Sequence, residues 1–242
     1  MTLFVLAYGA DRIPYQVAYD TSRTSRVAIH VNPDGSVSVD APVGYEDASI
    51  RNAVQKRAKW VLNHVTQARE RYAHVRPKEY VSGEQLLYLG RRYMLKVIPV
   101  TGKPATTRLM GNRLEVQTAI ATPDDIRVRI RAWYRVKGRD YLARRIDSLS
   151  KSLPWVPEAP PFRLLEMSSQ WGSCSPSGQV ILNPHLIKAP RACIDYVLVH
   201  ELAHLKHHDH GTEFWKLIDA HAGDWRKAKH HLDGLVEVLL SG

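Results

Sequence analysis

Val197-Leu198-Val199-His200-Glu201-Leu202-Ala203-His204-Leu205 is the stretch on which the reading of this chain turns. It is a His-Glu-x-x-His set among apolar residues. On a helix, two histidines four apart lie one turn above the other on a single face. Their imidazoles can meet on one ion, as zinc requires. Glu201 sits beside them, where it can hold a water at that ion and take its proton. The flanking residues bury the helix, and a buried helix has little use for adjacent His and Glu unless something pairs them.

Just downstream, His207, His208, His210 and Glu213 compete for the third ligand position. His208 continues the spacing of four but lies ~6 Å further along the axis than His204. His207 points about 60° off the shared face. A third ligand must therefore come from chain that has turned back. Asp209-His210-Gly211 has turn chemistry, because Asp favours turns and Gly permits positive φ. His210 is the expected third ligand. Glu213 is the runner-up, or else orients His210 from behind. The fourth position is left for water, the open arrangement of a catalytic rather than a structural zinc. Cobalt, nickel or manganese could take the place of zinc.

Working outward, the pattern predicts an α+β chain. Pro190 opens the metal helix, and helices follow over about 212–221 and 225–240. Before it come two short strands, PFRLLEM and QVILN, separated by a polar loop, SSQWGSCSPSG. Thr122-Pro123-Asp124-Asp125 is a strong helix start, with an N-cap residue, Pro in the first turn and acids at the positive end of the dipole. That helix runs to about 152, where four prolines between 154 and 161 force an extended connection. Residues 83–117 alternate as strands that pair across Gly90-Arg91 and Gly111-Asn112. Residues 46–74 predict one helix with Ile50, Val54, Ala58, Val61, Leu62 and Val65 on one face, and Pro77 just past its end. Residues 14–40 read as strands, with a hairpin turning at Pro33-Asp34-Gly35. The start, MTLFVLAYGADR, reads as a strand or a frayed end. These elements predict a β-rich region with one long helix over 1–120 and a metal-bearing domain over 121–242, with no repeats.

The 242 residues, 44% hydrophobic, are enough for one large core or two small ones. No apolar run is long enough to cross a bilayer, so no membrane association is expected. Two cysteines, Cys174 and Cys193, do not make a disulfide framework, and with no signal peptide a cytoplasmic location is expected. The net charge of +10 is uneven. Residues 51–78 hold eight Lys/Arg against one acid, and residues 123–152 hold nine against four. These two basic helices are either solvated faces or a docking surface for DNA or another polyanion.

Beyond the metal helix, W-G-S-C at 171–174, L-N at 182–183, the His six residues after His204 and F-W at 214–215 follow one another in an order that resembles the YgjP-like metal-dependent hydrolases, relatives of the SprT and WLM metalloproteases. G-E-Q-L-L-Y-L-G at 83–90 and W-Y-R at 133–135 are also similar to that family, so the resemblance extends over most of the chain. It implies a zincin-like domain behind a β-rich region, one Zn2+ on His200, His204 and His210, and Glu201 as general base. The chain departs from the family at Asp209, where Asn is usual, and at Gly211, Gly223 and Gln170. Gln170 replaces a basic residue and bears on substrate choice.

Cys174 could be a fourth ligand or a nucleophile. A thiolate there would close the site, and a metal-held water already supplies the nucleophile, so it is expected in a structural loop beside the metal helix. Trp171 is expected to form one wall of the cleft. The expected function is a zinc metallopeptidase acting on protein or peptide. The alternatives are a nucleoside triphosphate pyrophosphatase using the same metal, and a nucleic-acid-associated protein with a structural zinc.

Overall fold

The computed structural model describes residues 2–20, 27–32, 34–73, 78–167 and 170–240. Pro33 of the expected hairpin turn, residues 74–77 at the expected helix end, and Ser168-Ser169 lie outside them. The chain divides into two compact units, residues 1–76 and 77–242. The expected division lay near 120. The earlier boundary follows from packing: Leu86, Leu95, Leu114 and Val116 of the second sheet share one core with Ile126, Ile130, Val197, Leu198 and Leu202, whereas the first sheet has a core of its own.

In the first unit, β1 (Thr2–Tyr8), β2 (Asp11–Asp20), β3 (Ala28–Val31) and β4 (Val37–Pro42) form a sheet ordered β1-β2-β4-β3. The apolar start is thus a strand, paired along its length with β2. Strand alternation buries Ile13, Tyr15 and Val17 with Val37, Val39 and Ala41. α1 (Asp47–Lys56) and α2 (Ala58–Tyr72) cover that face with Ile50, Val54, Val61 and Val65. One continuous helix was expected here. The break falls at Arg57, whose backbone leaves the helical region (φ −106°, ψ 11°), and both segments keep their apolar stripe on the same sheet.

The second unit begins with β5 (Gln85–Tyr88), β6 (Arg91–Pro99), β7 (Thr106–Met110) and β8 (Arg113–Thr118), ordered β5-β6-β8-β7. The expected hairpins β5–β6 and β7–β8 are present. In each sheet the second hairpin folds back so that its last strand lies parallel to the second strand. Each sheet therefore has the same order and directions, and each is followed by helix. No repeat was expected from the sequence, and the two sheets nonetheless share one topology.

α3 (Pro123–Ser150) starts as expected, with Thr122 Oγ1 accepting from the Asp125 N–H. Its buried face carries Ile126, Ile130, Trp133, Tyr134, Leu142 and Ile146. A small sheet follows, ordered β10-β11-β9 and made of β9 (Phe162–Leu164), β10 (Gly172–Cys174) and β11 (Val180–Leu182). W-G-S-C was expected in a loop; Gly172–Cys174 is instead a short strand antiparallel to β11. A 3-10 helix (Pro184–Lys188) leads to α4 (Arg191–Ala203), which carries His200 and Glu201 and is buried almost throughout. α5 (Thr212–His221), α6 (Trp225–Asp233) and α7 (Val236–Leu240) close the chain. The helix expected over 225–240 is two helices, separated at Gly234-Leu235.

Candidate metal centre

The last turn of α4 places His200 and His204 on one face, their ring centroids 5.0 Å apart. The helix then stops: His204 is its C-cap, and the Trp155 indole N–H donates to the Leu202 carbonyl at its end. The chain turns through His207 and brings His210 back, with ring centroids 5.0 Å from His200 and 4.8 Å from His204. The three histidines each offer a nitrogen, and these atoms lie within 4.8 Å of one another. Among the described residues, no other His, Cys, Asp or Glu joins this group.

The donor chemistry fits a metal ion. His204 Nδ1 lies 3.0 Å from the His207 carbonyl. A carbonyl only accepts, so Nδ1 carries the proton and Nε2 is left as the ligand. His200 Nε2 and His210 Nε2 face each other at 3.1 Å. Tetrahedral zinc with nitrogens at 2.0–2.1 Å separates its ligand atoms by about 3.4 Å. Burial, then the charges of His204 and His210, hold the His200 imidazole down to about 4, so at neutral pH it is in the neutral, ligating form.

Phe214, the third residue of α5, is fully buried and packs against all three rings, with centroids 5.0, 4.7 and 4.8 Å away. Trp215 stacks on His210 at 5.8 Å, Trp225 on Trp215, and Tyr196 on Trp225. The turned-back histidine is thus held by an aromatic column from α5 and α6, although it is itself exposed.

Glu201 is buried, and burial pushes its carboxyl up to about 8. One side of it is closed by Gly172 of β10. A Cβ there would lie 2.7 Å from Glu201 Cγ and 2.7 Å from Oε1, so only glycine lets strand and carboxylate lie this close. Asn183 secures the approach to that strand. Fully buried, its Nδ2 donates to the Met167 and Gln170 carbonyls, and its Oδ1 accepts from the His185 N–H.

Around this centre lies a cleft of about 420 Å³. Gln170, Trp171, Ser173 and Cys174 line it, as do Lys229 and Asp233 of α6. Trp171 lies where a cleft wall was expected. Cys174 is half-buried outside the three-nitrogen group, and burial and Glu201 raise its thiol. Glu213 is not brought to the site: it is exposed and ion-paired with Lys216 at 2.8 Å. His208 reaches only the cleft lining, and His207 contributes its carbonyl.

Residues 25–234 match the family model of the YgjP-like metallopeptidase domain. The chain belongs to the YgjP-like metallopeptidase family. No curated protein matches it. Among solved structures, the metallopeptidase zymogen of Pyrococcus abyssi abylysin is similar over 36% of this chain and 88% of that one, with 20% identity and a TM-score of 0.29. By the family model alone, the chain is a metal-dependent peptidase at the level of its family.

Three residues of this YgjP-like site were not assigned their parts from sequence. Phe214, Gly172 and Asn183 all fall inside the quoted F-W, W-G-S-C and L-N motifs. The motifs marked the positions. What each side chain touches depends on packing between α4, α5 and β10, which sequence spacing does not encode.

Proposed function

We propose that this chain is a zinc-dependent peptidase in which Glu201 is the general base and His200, His204 and His210 hold the ion. The observation that carries the reading is the convergence of three imidazole nitrogens beside a buried carboxylate, in a cleft large enough for peptide side chains. Three imidazole nitrogens with one position left open match the ligand set of catalytic zinc sites. When bound, the ion supplies Lewis acidity, polarising a carbonyl and making water more acidic. Glu201 takes a proton from the attacking water and delivers it to the leaving amine as the peptide C–N bond breaks. Burial raises its affinity for a proton, which favours taking one from water, and a nearby cation would lower it again and favour the proton's return.

The lining of the cleft favours a peptide over a nucleoside triphosphate. Its one Lys or Arg among the described residues, Lys229, is already paired with Asp233 at 2.5 Å. A triphosphate would find no free cation there apart from the ion. A structural role for zinc is disfavoured by the absence, among the described residues, of a fourth protein ligand in the group.

Glu201→Gln tests the reading. The variant should bind zinc like the parent and lose peptide hydrolysis by at least about a hundredfold. The substrates are an unfolded protein and each nucleoside triphosphate, with metal content measured on the same samples. Turnover of triphosphates alone, or a Gln variant as active as the parent, would overturn it.

A further inference from the structure

Most of the basic charge on α3 is already spent. Arg127, Arg129, Arg131, Arg145 and Lys151 are ion-paired with Asp124, Asp125, Glu166, Asp195 and Asp147. Arg135 donates to the Leu164 carbonyl. The helix is therefore not a continuous basic face. Lys137, Arg139 and Arg144 are left, and Arg144 meets two arginines from other elements where the β5–β6 turn approaches α3 and the start of α4.

Three exposed arginines gather there, Arg91, Arg144 and Arg191, and none has an ion pair among the described residues. They surround three half-buried tyrosines. Arg91 stands opposite Tyr88 across the hairpin. Arg144 and Arg191 both act electrostatically on Tyr88 and on Tyr141. Tyr93, two residues beyond Arg91 on the same side of β6, has its ring 6.3 Å from that of Tyr88. Tyr88 and Tyr93 continue the face that carries buried Leu86 and Leu95, so their rings emerge at the edge of the core. Tyr88 is anchored on Trp133 at 5.0 Å.

The backbone beneath is fixed. Leu89 and Gly90 donate to the Ile187 and Lys188 carbonyls, at 2.9 and 3.1 Å. Gly90 has φ +76°, and a Cβ on it would lie 2.8 Å from the Pro190 Cα. Of the nearby acids, Asp195 is engaged by Arg145, and exposed Asp140 lies a turn before Arg144. Arg191 lies nine residues before His200, about 13 Å along α4, so this surface is separate from the metal cleft.

We propose that this surface binds single-stranded nucleic acid. Unpaired cations close to aromatic rings, on a backbone that does not have to rearrange, match what a strand of unpaired nucleotides needs. Arginines take phosphates, and rings take exposed base faces. A duplex hides its base faces within the stack and gains nothing from the tyrosines. The sugar–phosphate chemistry is common to DNA and RNA, so both are tested. The inference is independent of the peptidase reading.

The test is fluorescence anisotropy of the full chain with labelled oligothymidylate and oligouridylate of about 20 nucleotides, and with duplex DNA. Single strands should bind more tightly than duplex. The logarithm of affinity should fall with that of salt concentration with a slope of about 2, from three phosphate contacts. Arg91→Ala, Arg144→Ala and Arg191→Ala combined should remove most of that slope. Tyr93→Ala should weaken single-strand binding roughly five- to a hundredfold, while Tyr93→Phe keeps it. The proposal is overturned if no oligonucleotide binds at low salt, if the triple variant binds with an unchanged slope, or if duplex binds as well as single strand and Tyr93→Ala has no effect. Preference for one oligonucleotide over the other, with the variants behaving as stated, supports it and names the source.

Discussion

Glu201 has little freedom of position. Gly172 occupies one side of it at a distance no side chain tolerates. Adding one methyl group at 172 must displace either the carboxylate or the strand. Gly172→Ala is therefore expected to lower kcat by about a hundredfold, the scale of a 1 Å misplacement of a reacting group. Zinc affinity should not change, because the atoms the added Cβ meets first belong to Glu201 and not to a ligand histidine. Steady-state kinetics on a metal-verified sample measure this, and an unaltered kcat would show that the close packing has no catalytic consequence. Glu213 teaches the converse lesson. Its sequence spacing made it a possible ligand, but Lys216 at 2.8 Å offers an alternative partner in solvent.

At the scale of elements, the centre is a junction of α4, the turn after it and α5. α4 alone aligns two histidines. The third arrives because α4 stops at Ala203 and α5 starts at Thr212, and Phe214 fills the space under all three rings. Phe214→Ala should cost about 3–5 kcal/mol of stability, the usual range for emptying a buried aromatic site. It should also weaken zinc binding, since the rings lose the surface that sets their spacing. Thermal melting and competition with a chelator report the two effects separately. Loss of stability with unchanged zinc affinity would make Phe214 a core residue only. The motif positions were legible in sequence here, and the end of α4 was not, because a helix end depends on who satisfies its last carbonyls. Trp155 does so for Leu202 from forty-seven residues away.

At the scale of the molecule, the metal-bearing unit has its own core from Tyr80 to Leu239. A fragment of residues 77–242 should therefore fold cooperatively and bind zinc, checked by urea denaturation and metal content; a fragment starting at 121 should not, having lost β5–β8 from its core. Lys188 adds a pH dependence. Buried, with Nζ donating to the Leu239 carbonyl at 2.9 Å, it is held down to about 7 by desolvation and then by Lys78 and Arg131. In the unfolded chain it titrates near 10.4. Below about pH 7 both states are protonated and the full cost of burying the charge is felt. Between about 7 and 10 the folded state binds fewer protons, so stability rises with pH. Relative to Lys188→Met, the parent should gain up to about 4 kcal/mol over that range. A constant difference between the two denaturation series would rule this out. No helix among the described residues is long and apolar enough to cross a membrane.

By itself the sequence determined the α+β character, the hairpins β5–β6 and β7–β8, the start of α3 and the helix that carries His200 and Glu201 and ends at His204. Each of these is written in local spacing: period two for strands, a spacing of four for paired ligands, and capping chemistry at a helix start. The return of His210 to the two helical histidines was also within reach, because helix geometry sets its neighbours off their shared face. Only the tertiary structure decided that 77–120 belongs with the metal unit, that W-G-S-C carries a strand against Glu201, that the two sheets repeat one topology, and which arginines are left without acids. Those outcomes depend on contacts between residues far apart in the chain, and no spacing rule reaches across such distances.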